Sequence, residues 1–216
     1  MDITIKLHLT KRSIKNYNDM PRSQEQFDKI RKQKKQLIMD TALELFAEKG
    51  FHATSMNQIA GKASISKGLA YNYFEGKQQI LDEIIKTGID SIYTHFDLNR
   101  DGVLTEEEFK YFIKKSFQVV KANPRFWKLF SALIMQSGLA ESVRKQYGET
   151  SQSIMRILQQ FIASKGSKDP ESDSLIISSM LKGAILLIIT VPDYLSAEKL
   201  EEKITEACLR LIDNKN

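Results

Sequence analysis

The sequence predicts an all-α protein, and three observations predict it. Apolar residues recur at three- and four-residue intervals along most of the chain, the period of a helix. Runs with the two-residue alternation of a strand are sparse. Only 4 prolines and 10 glycines interrupt the 216 residues, and there is no internal repeat or low-complexity tract. With 42% of its residues hydrophobic, a chain of this length can bury a sizeable core.

The elements follow in order. Residues 1–30 have no clear period and are expected to form a flexible N-terminal extension. Met20 opens "MPRSQEQ" as an alternative start, so residues 1–19 are either an arm or an upstream extension. A helix is expected from Arg31, where Ile38, Ala42, Leu45 and Phe46 form one apolar stripe. Lys49 and Gly50 end it, a cation at the negative pole followed by a residue that tolerates positive φ. A second helix is expected within 54–63, with Ser55 and Gln58 at capping-box spacing and Ile59, Ala60 and Ala63 facing inward. "SIS" (64–66) is a tight turn from which Ser66 caps a third short helix over 67–74. After "EGK" (75–77) a longer helix runs over about 78–96. Further helices are expected at 105–121, 124–137, 139–164, 172–190 and 196–213. Pro124, Gly138, "SKGSKDPES" (164–172) and "VPD" (191–193) separate them.

Charge is unevenly placed. Residues 1–88 carry 15 Lys/Arg against 10 Asp/Glu, whereas residues 89–216 carry 17 of each, so the whole excess of +5 lies in the first part. A basic end on a neutral body suits an anionic partner, nucleic acid before a membrane surface. Cys208 is the only cysteine, which excludes an intrachain disulfide and suits a reducing cytosol. The first 19 residues lack the apolar stretch of a signal peptide, and the longest uninterrupted apolar run, "AILLIITV" (184–191), is too short to span a bilayer. A soluble, cytoplasmic protein without a membrane partner is expected. No G-x-S-x-G, phosphate loop, metal-ligand cluster or nucleophile–base pair is legible, so the chain is not expected to be an enzyme. His8, His52 and His95 are scattered, without metal-ligand spacing.

Two short helices joined by a three- or four-residue turn make a helix-turn-helix when the second projects outward. Over 67–74, Ala70 and Phe74 lie four residues apart and face inward, which leaves Gly68, Leu69, Tyr71 and Asn72 around the outer face. That face makes sense in a major groove. Asn72 would hydrogen-bond a base edge, and Leu69 and Tyr71 would touch a thymine methyl or the sugar backbone. Gly68 would let the helix start approach DNA closely. Lys67 and Lys77 would pair with phosphates, and Thr54 and Ser55 would add hydroxyl and amide contacts. "RKQKK" (31–35) either touches DNA or is solvated.

At this point a resemblance emerges. Residues 38–81, through "A..LF...G", "T....IA..A", "ISKG..Y.YF" and the following Lys77, resemble the DNA-binding domain of TetR-family transcriptional regulators. The one departure is Ser64, where members often carry glycine. The resemblance implies a DNA-binding domain over 31–77 whose contacts also include Ser66 and Tyr73. It implies a linking helix plus regulatory and dimerisation domain over 78–216. Its partners would be double-stranded DNA, a second copy of the chain and an unidentified small-molecule ligand. The implied function is a ligand-responsive, sequence-specific regulator, usually a repressor. The dimer would form through 173–190, with Ser178, Ser179, Gly183 and Ala184 allowing close approach, and through 197–212, where Leu200, Ile204, Ala207 and Leu211 share a stripe. Single-subunit core packing accounts for the same residues.

Two stretches of the body stand out. Around "NPRFWKLFSALIM" (123–135), Phe126, Trp127, Phe130 and Met135 are candidates to line an apolar ligand pocket, with Phe112, Phe117, Tyr147 and Met155; each also suits the core. "DLNRDGVLTEEE" (97–108) matches a calcium loop. Asp97, Asn99 and Asp101 stand at positions 1, 3 and 5, Gly102 at 6, the Val103 carbonyl at 7 and the Glu108 carboxylate at 12, between Phe96 and Phe109. Turn and cap chemistry covers part of this, because Asp101-Gly102 is a turn pair and Thr105 with Glu108 has capping-box spacing. No cofactor is required; calcium is the candidate, and with it the alternative function of a calcium-modulated regulator or interaction protein.

Overall fold

Nine α-helices make up the described residues, 24–136, 138–191 and 196–213, of a computed structural model. They are α1 (Gln24–Lys49), α2 (Met56–Lys62), α3 (Lys67–Tyr71), α4 (Lys77–Tyr93), α5 (Glu106–Ala122), α6 (Pro124–Ile134), α7 (Leu139–Ser164), α8 (Pro170–Thr190) and α9 (Ala197–Asp213). No strand occurs among the described residues.

Local chemistry sets the boundaries. Ser55 caps α2 in a complete capping box with Gln58, and Thr105 caps α5 in another with Glu108. Ser66 accepts the Leu69 amide at the head of α3. Asn123 and Asp169 cap α6 and α8, each with proline at the first helical position. Gly50 takes φ 89° just beyond α1 and donates its amide to the Phe46 carbonyl at 3.0 Å.

Three expectations need correction. The first helix starts at Gln24, not Arg31, so residues 24–30 of the expected extension are helical; residues 1–23 lie outside the described residues. The third helix ends at Tyr71, and a tighter turn carries the chain through Asn72 to Phe74. The linking helix ends at Tyr93, because Thr94–Phe96 close onto it as a turn.

The chain divides into two units, with the boundary between Leu37 and Ile38. The expected boundary at 77/78 falls inside the second unit. One hydrophobic cluster runs through that unit, from Ile38 and Phe46 through Ile80, Leu81, Ile84 and Ile85 to Cys208 and Ile212. Burial pushes the Cys208 thiol up to about 11, as expected of an inert core cysteine.

Helix α8 packs against α5, α6, α7 and α9. It is nevertheless long and apolar enough, by length and composition alone, to cross a membrane. The uninterrupted run of 184–191 understates this, because Ser178, Ser179, Lys182 and Gly183 are diluted among apolar residues. Leu175, Ile176, Leu186 and Leu187 are exposed along one side.

Candidate nucleic-acid interface

The site grows from three short segments. Helix α2 buries Ile59 and Ala60, and Ala63 is buried just beyond it. The turn that follows holds Ser64 at φ 53°. A left-handed conformation costs a non-glycine residue about 1–2 kcal/mol, which explains why glycine suits this position. Helix α3 then projects from Ala70 and Phe74, both essentially buried. Lys67, Gly68, Tyr71 and Asn72 are exposed on the far side, with Tyr71 at 45%. The Lys67 ammonium lies 5.9 Å from the Tyr71 ring centroid, which steadies both side chains on the open face. A β-carbon on Gly68 would meet nothing within 4 Å, so no contact inside the chain asks for glycine there.

Other expected contacts are placed differently. Leu69 and Tyr73 are half-buried, Tyr73 against the core, so the outward face is narrower than the helical wheel suggests. Thr54 is only 1% exposed and its hydroxyl donates to the Gly50 and Leu45 carbonyls at 2.8 and 3.3 Å; it ties the α1–α2 turn instead of facing a phosphate. Ser55 is exposed, but its hydroxyl and amide are engaged with Gln58. Lys77 is also reassigned. Its ammonium donates to the carbonyls of Phe51 (2.8 Å), His52 (3.0 Å) and Thr54 (2.8 Å), and sits 4.7 Å from the Phe51 ring centroid. All three of its protons hold the α1–α2 turn, which sequence spacing alone did not disclose.

The body grips the same turn. Gln136, just past α6, donates its side-chain amide to the Phe46 carbonyl at 2.6 Å and accepts the Phe51 amide at 3.1 Å. Arg125, at the other end of α6, pairs with Glu44 at 2.5 Å, and Lys62 of α2 pairs with the same carboxylate at 3.2 Å. Lys62, with Arg125 adding to it, holds the Glu44 carboxyl below its ordinary range. Arg125 is largely exposed, so its pair adds little stability, whereas the Gln136 pair is half-buried and fixes direction.

Within the body, an apolar cavity of about 170 Å³ lies between α4, α5, α7 and α8. Phe112 and Met155 line it, joined by Tyr93, Phe96, Phe109, Leu181, Lys182 and three serines, Ser116, Ser151 and Ser178. The other candidates do not. Phe117 is wholly buried in the core. Phe126, Trp127 and Phe130 pack against one another, Phe126 stacked on Phe130 and Trp127 edge-on to both, with centroids 5.3–5.6 Å apart. Met135 is 72% exposed. Tyr147 lines a separate open groove with Ile89 and Val143. Another cleft, of about 800 Å³, is open and lined mostly by charged residues of α5 and α9; its charge and openness suit solvent better than an apolar ligand.

Among the described residues no group of three His, Cys, Asp or Glu stands ready to hold a metal, and His52 and His95 are apart from any such group. His8 lies outside the described residues.

The order of capped helices and the outward face of α3 define a helix-turn-helix. Residues 38–84 match the family described as bacterial regulatory proteins, tetR family. The match is confined to this segment, which holds α2 and α3 with the neighbouring parts of α1 and α4. The chain is 43% identical over 63 residues to the HTH-type regulator YuxN of Bacillus subtilis, covering 29% of this chain and 22% of that protein. It is 25% identical over 122 residues to the fatty acid metabolism regulator protein of the same organism, covering 56% and 62%. The chain thus spans less than two thirds of either relative. In fold it is similar to the fatty acid degradation regulator FadR of Bacillus halodurans, with a TM-score of 0.58, 20% identity, and 84% of this chain and 95% of that one covered.

Proposed function

We propose that the chain is a ligand-responsive, sequence-specific DNA-binding transcriptional regulator, a repressor released from its operator by a small apolar molecule. The observation that carries this reading is the exposed Lys67–Gly68–Tyr71–Asn72 face of α3, held outward by buried Ala70 and Phe74. An aromatic ring and an amide turned to solvent on a five-residue helix suit base-edge and sugar contacts. Lys67 adds a phosphate partner.

In this reading the protein works as a cytoplasmic homodimer and not as an enzyme. Two recognition helices about 34–36 Å apart enter successive major grooves of one duplex. The cavity beside α4 takes the inducer. Its walls are aromatic and aliphatic apart from three serines and Lys182, which suits a largely hydrocarbon molecule, and two similar proteins carry fatty acid metabolism and fatty acid degradation in their names. The ligand releases DNA only to the extent that it prefers the dimer with the wrong spacing.

Footprinting on the DNA upstream of the protein's own reading frame tests the reading. Wild-type protein should protect a discrete segment. Tyr71→Ala and Asn72→Ala should each lose that protection while sedimentation still shows a dimer. Undiminished protection in both variants would remove α3 from the recognition role.

A further inference from the structure

We propose that the loop joining α4 to α5, residues 97–108, is a calcium site. The inference goes beyond DNA recognition and does not depend on it. Oδ2 of Asp97 accepts the Gly102 amide at 3.0 Å, while its Oδ1 is buried without a hydrogen-bond partner. A buried carboxylate oxygen facing nothing is costly, and a cation at that position removes the cost.

The loop sequence carries the other oxygen donors, although they are not gathered into a metal-holding group as they stand. Asn99 donates its Nδ2 to Asp101 Oδ2 at 2.8 Å, and Asp101 Oδ1 accepts the Val103 amide at 2.8 Å. Arg100 and Gly102 take positive φ, 59° and 78°, so the loop turns tightly at these two residues. Among the described residues no Lys or Arg forms an ion pair with Asp97, Asp101 or Glu108, although the chain as a whole is basic. Neighbouring Glu106, by contrast, pairs with both Lys110 and Lys165.

Glu108 is the piece out of place. Its Oε2 accepts the Thr105 amide at 3.0 Å and hydroxyl at 2.9 Å, turned to the helix start. Closure of the site therefore requires rotation of this one side chain toward the loop. The Thr105 hydroxyl still accepts the Glu108 amide at 3.2 Å, so α5 keeps its cap when the carboxylate leaves. Asp97, Asn99, Asp101, the Val103 carbonyl and Glu108 then match the oxygen set that calcium takes, with Glu108 bidentate.

Isothermal titration of the full-length protein, stripped with chelator, tests this without DNA, so its outcome is separate from that of the footprint. Wild type should bind one calcium per chain with a Kd in the range of about 10⁻⁶–10⁻³ M. Glu108→Gln keeps the capping box and should weaken binding at least about tenfold. Asp97→Asn should lose it. Melting temperature should rise with calcium in wild type and stay unchanged in Asp97→Asn. Silence of the wild type at about 10 mM calcium, equal binding by the Glu108→Gln variant, or an equal response to magnesium would each overturn the assignment.

Discussion

Lys77 shows how much one side chain can do away from the place its charge suggests. Its ammonium ties three carbonyls of the α1–α2 turn. Lys77→Met should leave those groups without their donor and destabilise the protein by about 1–3 kcal/mol, read by chemical denaturation. A fall in DNA affinity with unchanged stability would instead restore the phosphate role. This role was not legible in the sequence, because the partners lie 23–26 residues away. The caps were legible. Ser55 with Gln58, Ser66 with Leu69, and Thr105 with Glu108 each close within three residues, so spacing alone identifies them. The outward placement of Tyr71 was legible for the same reason, since Ala70 and Phe74 are local neighbours whose burial leaves it outside. Leu69 is only half-exposed, which the helical wheel alone does not report.

At the scale of elements, α4 and α6 meet through a glycine. A β-carbon on Gly88 would lie 2.6 Å from two atoms of the Phe130 ring. That ring is already stacked on Phe126 and set edge-on to Trp127, so it has little room to yield. Gly88→Ala should therefore cost about 1–3 kcal/mol of stability despite alanine's better helix propensity, with melting temperature as the measure. Phe130→Leu in the same chain should recover part of the loss. The helices themselves were read from periodicity to within a few residues at most ends, because each has its own apolar stripe and cap. The cavity was not. Aromatic residues of α6 and those of α4 and α5 recur at the same helical intervals, and only the packing decides that the first group fills its own space while the second walls a void.

For the whole molecule, the exposed side of α8 is the feature to account for. Leu175, Ile176, Leu186 and Leu187 run along it, with Ser179 and Gly183 exposed between them. Of the small residues expected at a dimer contact, these two are available, whereas Ala184 is buried in the chain's own core and Ser178 lines the cavity. A second copy meeting this side through a two-fold axis would cover an apolar stripe with small residues at its centre. Leu187→Glu should convert a sedimenting dimer to a monomer with unchanged helicity; a persistent dimer would move the contact elsewhere. Gln136 gives such an assembly its lever. One amide grips the backbone on both sides of the α1–α2 bend, so a shift of α6 would either carry that bend along or break both hydrogen bonds. In the proposed regulator this grip and the Arg125–Glu44 pair would together couple α6 to the helix-turn-helix, and the travel allowed before they part would limit how far apart two such domains could be driven.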